Sequence, residues 1–392
     1  MNADRDALTL AEKVLAILEL GSFSATYKYA LFTAILDLCM EKGLKGLSDP
    51  TVLTTTELAE KVIELYWPHA MPYEGKVVLR QGGGRAGSQA EILRAIEGFR
   101  SDPRNASGEI LHRARTAHPV AWKRLVHEVE WKLIEMPIPR LQVSGSGEDR
   151  FLYEYSWNQD IKRSTVREHQ KDVRDRFDNR LTLQPGVAEG LQALNGILRP
   201  LLRREWAGMV AAMNGLPESR LEEFLFGASR ISLDEVRGPL IEIQGSQCLY
   251  CRKALQGAID VDHFIPWARY PDNGLDNLVA AHQRCNNPKR DFLAAAEHVE
   301  RWALRNVERA GDLRDVASRI AWQREPGRTR AVAVATYSRL GEGAKVWSAG
   351  TSLVGLEKGR VDAALSAWTW LPLTTPRASP PHPPPSATSR AP

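Results

Sequence analysis

Apolar residues recur at helical spacing over most of the chain. Residues 7–20 and 25–41 predict two apolar helices, and the second is apolar almost all round, which is typical of a buried helix. A third helix is predicted to begin at Thr54, because Glu57 completes a T-x-x-E capping box ahead of an apolar run. The same spacing predicts further helices at residues 119–136, 187–213, 218–227, 290–309 and 312–322.

Strand-like segments are few and short. They are predicted at residues 140–144, 151–155, 258–266 and 278–281. After the last of them, Asn286-Asn287-Pro288 is typical of a helix start, with Asn as the cap and Pro in the first turn. These elements predict an α+β fold that is mainly α-helical, with one small strand, loop, strand and helix (ββα) unit.

Two polar segments each have two interpretations. Residues 160–180 are rich in Lys and Arg, which predicts either a helix that contacts a nucleic-acid backbone or a solvated face crossed by ion pairs. The glycine-rich stretch Gly82-Gly83-Gly84-Arg85 suggests either a phosphate-binding loop or a flexible linker. The linker is favoured, because the stretch lacks the G-K-[ST] ending of a phosphate-binding loop.

The chain of 392 residues is too long for one small core, so two or three domains are expected. Its 43% hydrophobic and 26% charged residues are typical of a globular protein, and a net charge of +4 requires any basic surface to be local. We expect an N-terminal helical domain at 1–80, a mixed, mainly helical substrate-recognition region at 81–240, the ββα module at 245–293, a C-terminal helical region at 294–372 and a disordered Pro-rich tail at 373–392.

The cysteines and the first residues of the chain indicate the cellular compartment of the protein. The chain starts without a basic segment followed by an apolar one, so no signal peptide is expected, and no apolar run is long enough to span a membrane. Four cysteines are too few for a disulfide framework, and Cys39 is expected to be a small buried hydrophobe. We therefore predict a cytoplasmic protein, where thiols stay reduced and can bind metal.

Three of the four cysteines belong to two pairs with metal-ligand spacing. Cys248 and Cys251 form C-x-x-C, and His282 and Cys285 form H-x-x-C. Zinc is usually held by four thiolate or imidazole ligands, and two such turns together supply four. The sequence therefore predicts a structural Zn²⁺ site with every position filled by protein, which stabilises a unit too small to build a sizeable core. In the alternative, these are merely small buried cysteines and a polar histidine.

Between and beyond these pairs the segment resembles the HNH endonucleases, the ββα-metal nuclease superfamily, in their zinc-clasped form. The family pattern is roughly C-x-x-C, D-H-[IV]-x-P, N-L, then C-x-x-C-[HN]-x-x-K. The chain departs from it at His282, where cysteine is usual, although histidine is a competent zinc ligand. Besides the cysteines, the matching positions are Asp262, His263, Pro266, Asn277, Leu278, Asn286 and Lys289.

The resemblance implies a role for each polar residue. His263 is the expected general base, and Asn277 is the expected residue that orients the loop and the imidazole. Asp262 and Asn286 are the expected ligands of a catalytic Mg²⁺ or Mn²⁺, since their oxygen atoms suit a hard cation. The expected contacts with the nucleic-acid backbone are Lys289, Arg290, Arg284 and Arg269.

Each of these residues also has an ordinary structural interpretation. Asp262 could pair with a neighbouring lysine, Asn277 could be a turn residue, and Asn286 could be only a helix cap. Taken together they favour a DNA endonuclease, with restriction or phage defence as a role suggested by family analogy and with a homodimer or a partner protein left open. The alternative is a zinc-stabilised nucleic-acid-binding module without catalysis. A nuclease acting on RNA ranks lower, because no aromatic platform for RNA bases is evident.

Overall fold

The computed structural model of the protein describes residues 2–20, 25–42, 51–82, 89–105, 110–144, 147–173, 176–228, 231–341 and 343–368. The predicted α+β, mainly α-helical fold is confirmed, since small two- and three-stranded sheets lie among many helices. No helix in these ranges combines the length and the apolar character needed to cross a lipid bilayer. Gly83 to Arg85 and the predicted tail from 373 onward lie outside the described residues.

The N-terminal half is a helical assembly. Its helices are α1 (Asn2–Leu20), α2 (Tyr27–Glu41), α3 (Thr55–Tyr66), α4 (Glu91–Ser101), α5 (Leu111–Ala117), α6 (Pro119–Glu135), α7 (Pro137–Leu141), α8 (Arg163–Gln170), α9 (Val187–Asn214) and α10 (Leu221–Phe226). The predicted capping box is present, because Thr54 accepts from the backbone N–H of Glu57 and the Glu57 carboxylate accepts from that of Thr54. As predicted, α2 is buried from Tyr29 to Met40. One hydrophobic core joins Leu10 to Leu225, so residues on both sides of the boundary predicted at residue 80 share it.

Short strands accompany these helices. They are β1 (Val52–Thr54), β2 (Val143–Ser144), β3 (Gly147–Glu148), β4 (Tyr153–Tyr155) and β5 (Arg180–Leu183), and β5 lies between β1 and β4 in an antiparallel sheet. The long basic helix considered for residues 160–180 is wrong. Only 163–170 are helical, because the chain turns at Asp172 with a positive φ of 55° and then enters β5.

The C-terminal half contains the ββα unit and the helices around it. Its elements are α11 (Asp234–Ile243), β6 (Ile259–His263), β7 (Leu278–His282), α12 (Gln283–Lys289), α13 (Ala296–Glu308), α14 (Ala310–Arg319), α15 (Pro326–Ser338), β8 (Lys345–Ala349), β9 (Ser352–Gly355) and α16 (Lys358–Ala367). A second core joins the ββα unit to α13, α15 and α16, and it also includes Met40 of α2.

The two halves are tied by buried polar contacts. Arg328 of α15 bonds Glu64 of α3 at 2.7 Å, and the Asn195 side-chain amide of α9 donates to the Arg269 carbonyl at 2.9 Å. The Arg328–Glu64 contact is charge-assisted and therefore stronger than a neutral hydrogen bond, and both of its side chains are largely removed from water. The loop between β6 and β7 therefore packs against the N-terminal half.

Candidate functional site

The ββα unit has the predicted order but a different helix start. Strands β6 and β7 pair antiparallel, with His263 opposite Leu278 and Ile259 opposite His282. Helix α12 begins at Gln283 with His282 as its N-cap, so Asn286 lies inside the helix rather than capping it. Because α12 starts at Gln283, His282 and Cys285 both lie at its first turn, where residues three apart share one face.

The four predicted zinc ligands converge. The ligand atoms of Cys248, Cys251, His282 and Cys285, called here the Cys₃His cluster, all lie within 4.8 Å of one another. The His282 Nε2–H donates to the Ala254 carbonyl at 3.0 Å, which leaves the lone pair of Nδ1 facing Cys251 Sγ at 3.4 Å. A ligating histidine is commonly oriented by such a bond from its other ring nitrogen.

The chemistry of the cluster also fits a cation. Burial and the neighbouring thiols of Cys248 and Cys251 raise the pKa of Cys285 to about 12, because thiolates this close repel one another. A divalent cation removes that penalty by neutralising the thiolates it binds. The donor set is that of a structural zinc site, with two buried and two half-buried ligands.

His263 is buried at the end of β6, with 8% of its surface exposed. Desolvation of the imidazole lowers the pKa of His263 below its ordinary value of 6.5, so the ring is neutral at neutral pH. The Nε2–H donates to Asn273 Oδ1 at 2.7 Å, which leaves Nδ1 as the nitrogen able to accept a proton. The motif does not include Asn273; this residue lies in the loop between β6 and β7, and only the fold brings it to the imidazole.

Asn277 holds the loop, and its contact with the imidazole is indirect. Its side chain is fully buried, accepts from the backbone N–H of Ile265 at 2.8 Å, and donates to the carbonyls of Ile265 and Asp272. Helix α13 supports the same loop, because side chains of α13 converge on the Asp276 carbonyl. The orienting role expected of Asn277 is thus divided, with Asn273 contacting the ring and Asn277 fixing the backbone.

The Asp262 carboxylate contacts a lysine, as the ordinary interpretation of this residue predicted. Its Oδ2 accepts from Lys289 Nζ at 2.9 Å and from the Tyr250 hydroxyl. Lys289 is fully buried and also donates to the His263 carbonyl at 3.0 Å. The nucleic-acid contact expected of Lys289 from the first turn of a helix does not fit this placement, because Lys289 is the last residue of α12 and its ammonium is directed inward.

Asn286 contacts Asp260 rather than Asp262. Its side-chain amide donates to Asp260 Oδ2 at 3.1 Å. Residues two apart on a strand share a face, so Asp260 and Asp262 lie on the same side of β6. Asp260 was not among the predicted site residues, although the alternation Asp260-Val-Asp262 is visible in the sequence.

The three arginines expected at the nucleic-acid backbone differ in exposure. Arg284 and Arg290 are exposed beside α12, whereas Arg269 is half-buried and its guanidinium lies against Gly196 of α9. Arg284 and Arg290 are therefore available to a phosphate backbone, and Arg269 is part of the contact between the two halves.

Two families match different parts of the chain. An HNH endonuclease family matches residues 248–295, which include the Cys₃His cluster, β6, β7 and α12. A domain of unknown function (DUF8808) matches residues 7–224, more than half of the chain. No curated protein and no solved structure matches the chain. The resemblance to zinc-clasped HNH nucleases is confirmed, and it supports nuclease activity in general, with a nucleic acid as the partner.

Proposed function

We propose that the protein is a metal-dependent endonuclease that hydrolyses phosphodiester bonds of DNA. The chain belongs to the family defined by the domain of unknown function at residues 7–224, and an HNH endonuclease module follows that domain. The observation that carries this proposal is the state of His263. A buried, neutral imidazole, held through Nε2 by Asn273, retains Nδ1 as a proton acceptor. His263 takes a proton from water as the water oxygen bonds phosphorus; the phosphodiester P–O bond on the opposite side breaks, and the leaving oxygen is protonated from solvent.

Asp262 and Asn286 would hold the catalytic Mg²⁺ or Mn²⁺. Carboxylate and amide oxygens are donors that such cations prefer. When bound, the cation stabilises the negative charge that develops on the phosphate. The bond from Asn286 Nδ2 to Asp260 turns Asn286 Oδ1 away from that carboxylate, so we propose that Asp260 orients this oxygen. Lys289 balances the charge of Asp262 and keeps its carboxylate in place.

Replacing Asp260 with asparagine is expected to raise the Mg²⁺ concentration needed for half-maximal nicking by about 10–100-fold, the usual effect of losing a partner that orients a ligand. The maximal rate at saturating Mg²⁺ should fall less. The measurement is a Mg²⁺ titration of supercoiled-plasmid nicking. Asp315→Asn, which changes an exposed carboxylate on α14, is the matched control. An unchanged Mg²⁺ requirement in Asp260→Asn would remove Asp260 from the site.

The pH profile of nicking follows from the lowered pKa of His263. The base acts only when neutral, so the rate should decrease as the imidazole protonates and should fall to half of its plateau only below about pH 6.5. Single-turnover rates between roughly pH 5 and pH 8, with Mg²⁺ saturating at each point, measure this. A tenfold loss of rate between about pH 7.5 and pH 6.5 would contradict the assignment, because it would require a base whose pKa is raised.

The basic test incubates supercoiled plasmid with purified protein and Mg²⁺ or Mn²⁺. Appearance of the nicked form supports the proposal, and a linear product would indicate that two sites act together, as in a homodimer. Binding without nicking on several DNA types would favour the non-catalytic zinc module. Restriction or phage defence remains our proposal for the role. A cytoplasmic location belongs with it, because the cysteines of the cluster must stay reduced to hold zinc.

A further inference from the structure

A cavity lies between the two halves of the protein, beside His263. It has a volume of about 130 Å³ and is lined by α2, α3, α9, the end of α10 and the loop after β6. For comparison, an engineered cavity of ~150 Å³ in another protein holds one benzene molecule. The cavity is close to that size, so it has room for about one aromatic ring.

The wall of the cavity is aromatic. Trp67, Phe226 and Trp267 line it, and Trp267 is fixed because its indole N–H donates to the Phe226 carbonyl at 2.7 Å. The cavity also shares its wall with the nuclease site. The Trp267 ring lies 5.1 Å from the His263 imidazole, and Asn273, which bonds His263, is another lining residue.

Among the charged residues of the lining, Arg203 is the one without an ion pair in the described part of the chain. The two lining carboxylates are already paired, Asp37 with Arg199 at 2.5 Å and Glu64 with Arg328 at 2.7 Å. Arg199 is fully buried, and its Nη1 has no partner within the described part of the chain. Arg203 also lines the cavity.

Arg203 has no ion pair or hydrogen bond among the described residues, and its guanidinium lies 5.8 Å from the Phe226 ring centroid. Burial and the neighbouring Arg199 lower the pKa of Arg203 to about 10. A half-buried cation without an ion pair carries a free-energy penalty that an anionic ligand relieves.

We propose that this cavity binds the base of a nucleotide against its aromatic wall, with the phosphate of the nucleotide on the half-buried guanidinium of Arg203. Stacking on aromatic rings and cation–anion contacts are the two interactions by which proteins hold a nucleotide without reading its sequence. The nucleotide comes either from an unstacked position of the nucleic acid or from solution. Binding at this cavity is measured directly and does not depend on the proposed nuclease activity.

Calorimetric titration of the full-length, zinc-loaded protein with cytidine monophosphate, cytidine and inorganic phosphate tests the proposal. The monophosphate should bind at least about tenfold more tightly than either fragment, because it alone makes both contacts. Arg203→Met should weaken that binding by about tenfold or more, and Arg203→Lys should restore part of it. Arg204→Met is the matched control, since Arg204 is the next residue of α9 and its side chain is 73% exposed.

A second arm separates the two sources of the nucleotide. If the cavity takes a nucleotide of the nucleic acid, a duplex with one bulged 2-aminopurine should gain fluorescence with wild-type protein and not with Arg203→Met. If only the free monophosphate binds saturably, the ligand is a diffusible nucleotide. If Arg203→Met fails to fold, Ala228→Phe, which fills the cavity, replaces it and should abolish both signals. The proposal is overturned if neither experiment gives a signal. It is also overturned if inorganic phosphate binds as tightly as the monophosphate, or if Arg203→Met and Arg204→Met weaken binding of the monophosphate equally.

Discussion

Replacing His263 with alanine is expected to lower the rate of Mg²⁺-dependent plasmid nicking by about 10²–10⁴-fold, the usual contribution of a positioned general base. The physical reason is that the variant lacks the imidazole that Asn273 orients and whose Nδ1 is the proposed proton acceptor. Zinc content should stay near one per chain, because His263 is not part of the Cys₃His cluster. Single-turnover nicking and metal analysis of the same preparation measure both quantities.

The control for this prediction is His127→Ala, which removes a half-buried histidine from α6, far from the module in sequence. It should nick at the wild-type rate. Added imidazole should restore part of the activity of the His263 variant and leave the control unchanged, since a free base can enter the space that the side chain vacates. Wild-type activity in His263→Ala would eliminate His263 as the base.

Replacing Cys285 with serine is expected to reduce zinc content from about one per chain to nearly none and to destabilise the module, since binding of a structural zinc contributes about 10–16 kcal/mol in zinc-finger peptides. Nicking should be lost with the metal, because Cys285 and Asn286 are consecutive in α12 and the clasp holds that helix against β6 and β7. Metal analysis, thermal unfolding and the nicking assay measure these effects together.

Cys39→Ala is the matched control, because Cys39 is a buried thiol of α2 outside the cluster. It should keep its zinc and its activity, with at most the moderate loss of stability that a small cavity causes. Chelation of the wild-type protein followed by Mg²⁺ alone should fail to restore nicking, whereas Zn²⁺ followed by Mg²⁺ should succeed. Full zinc occupancy in Cys285→Ser would disprove the four-ligand clasp.

Short-range chemistry made much of the molecule predictable from sequence. The helices α1, α2, α3, α6 and α9 follow from apolar spacing, and the start of α3 follows from a capping box that needs only Thr54 and Glu57. The Cys₃His cluster was predictable because C-x-x-C and H-x-x-C are local turns whose side chains already point one way. In each case the determining contacts lie within about four residues of one another along the chain.

The contacts that decide the chemistry were not predictable in this way, because they join residues far apart in sequence or depend on the exact helix start. Asn273 meets His263 only through the course of the loop, and Asp260 meets Asn286 only because α12 begins at Gln283. The same shift carries Lys289 inward to Asp262, where spacing alone suggested a surface phosphate contact. The cavity with Arg199 and Arg203 exists only where the two halves pack together, so it is a property of the tertiary structure alone.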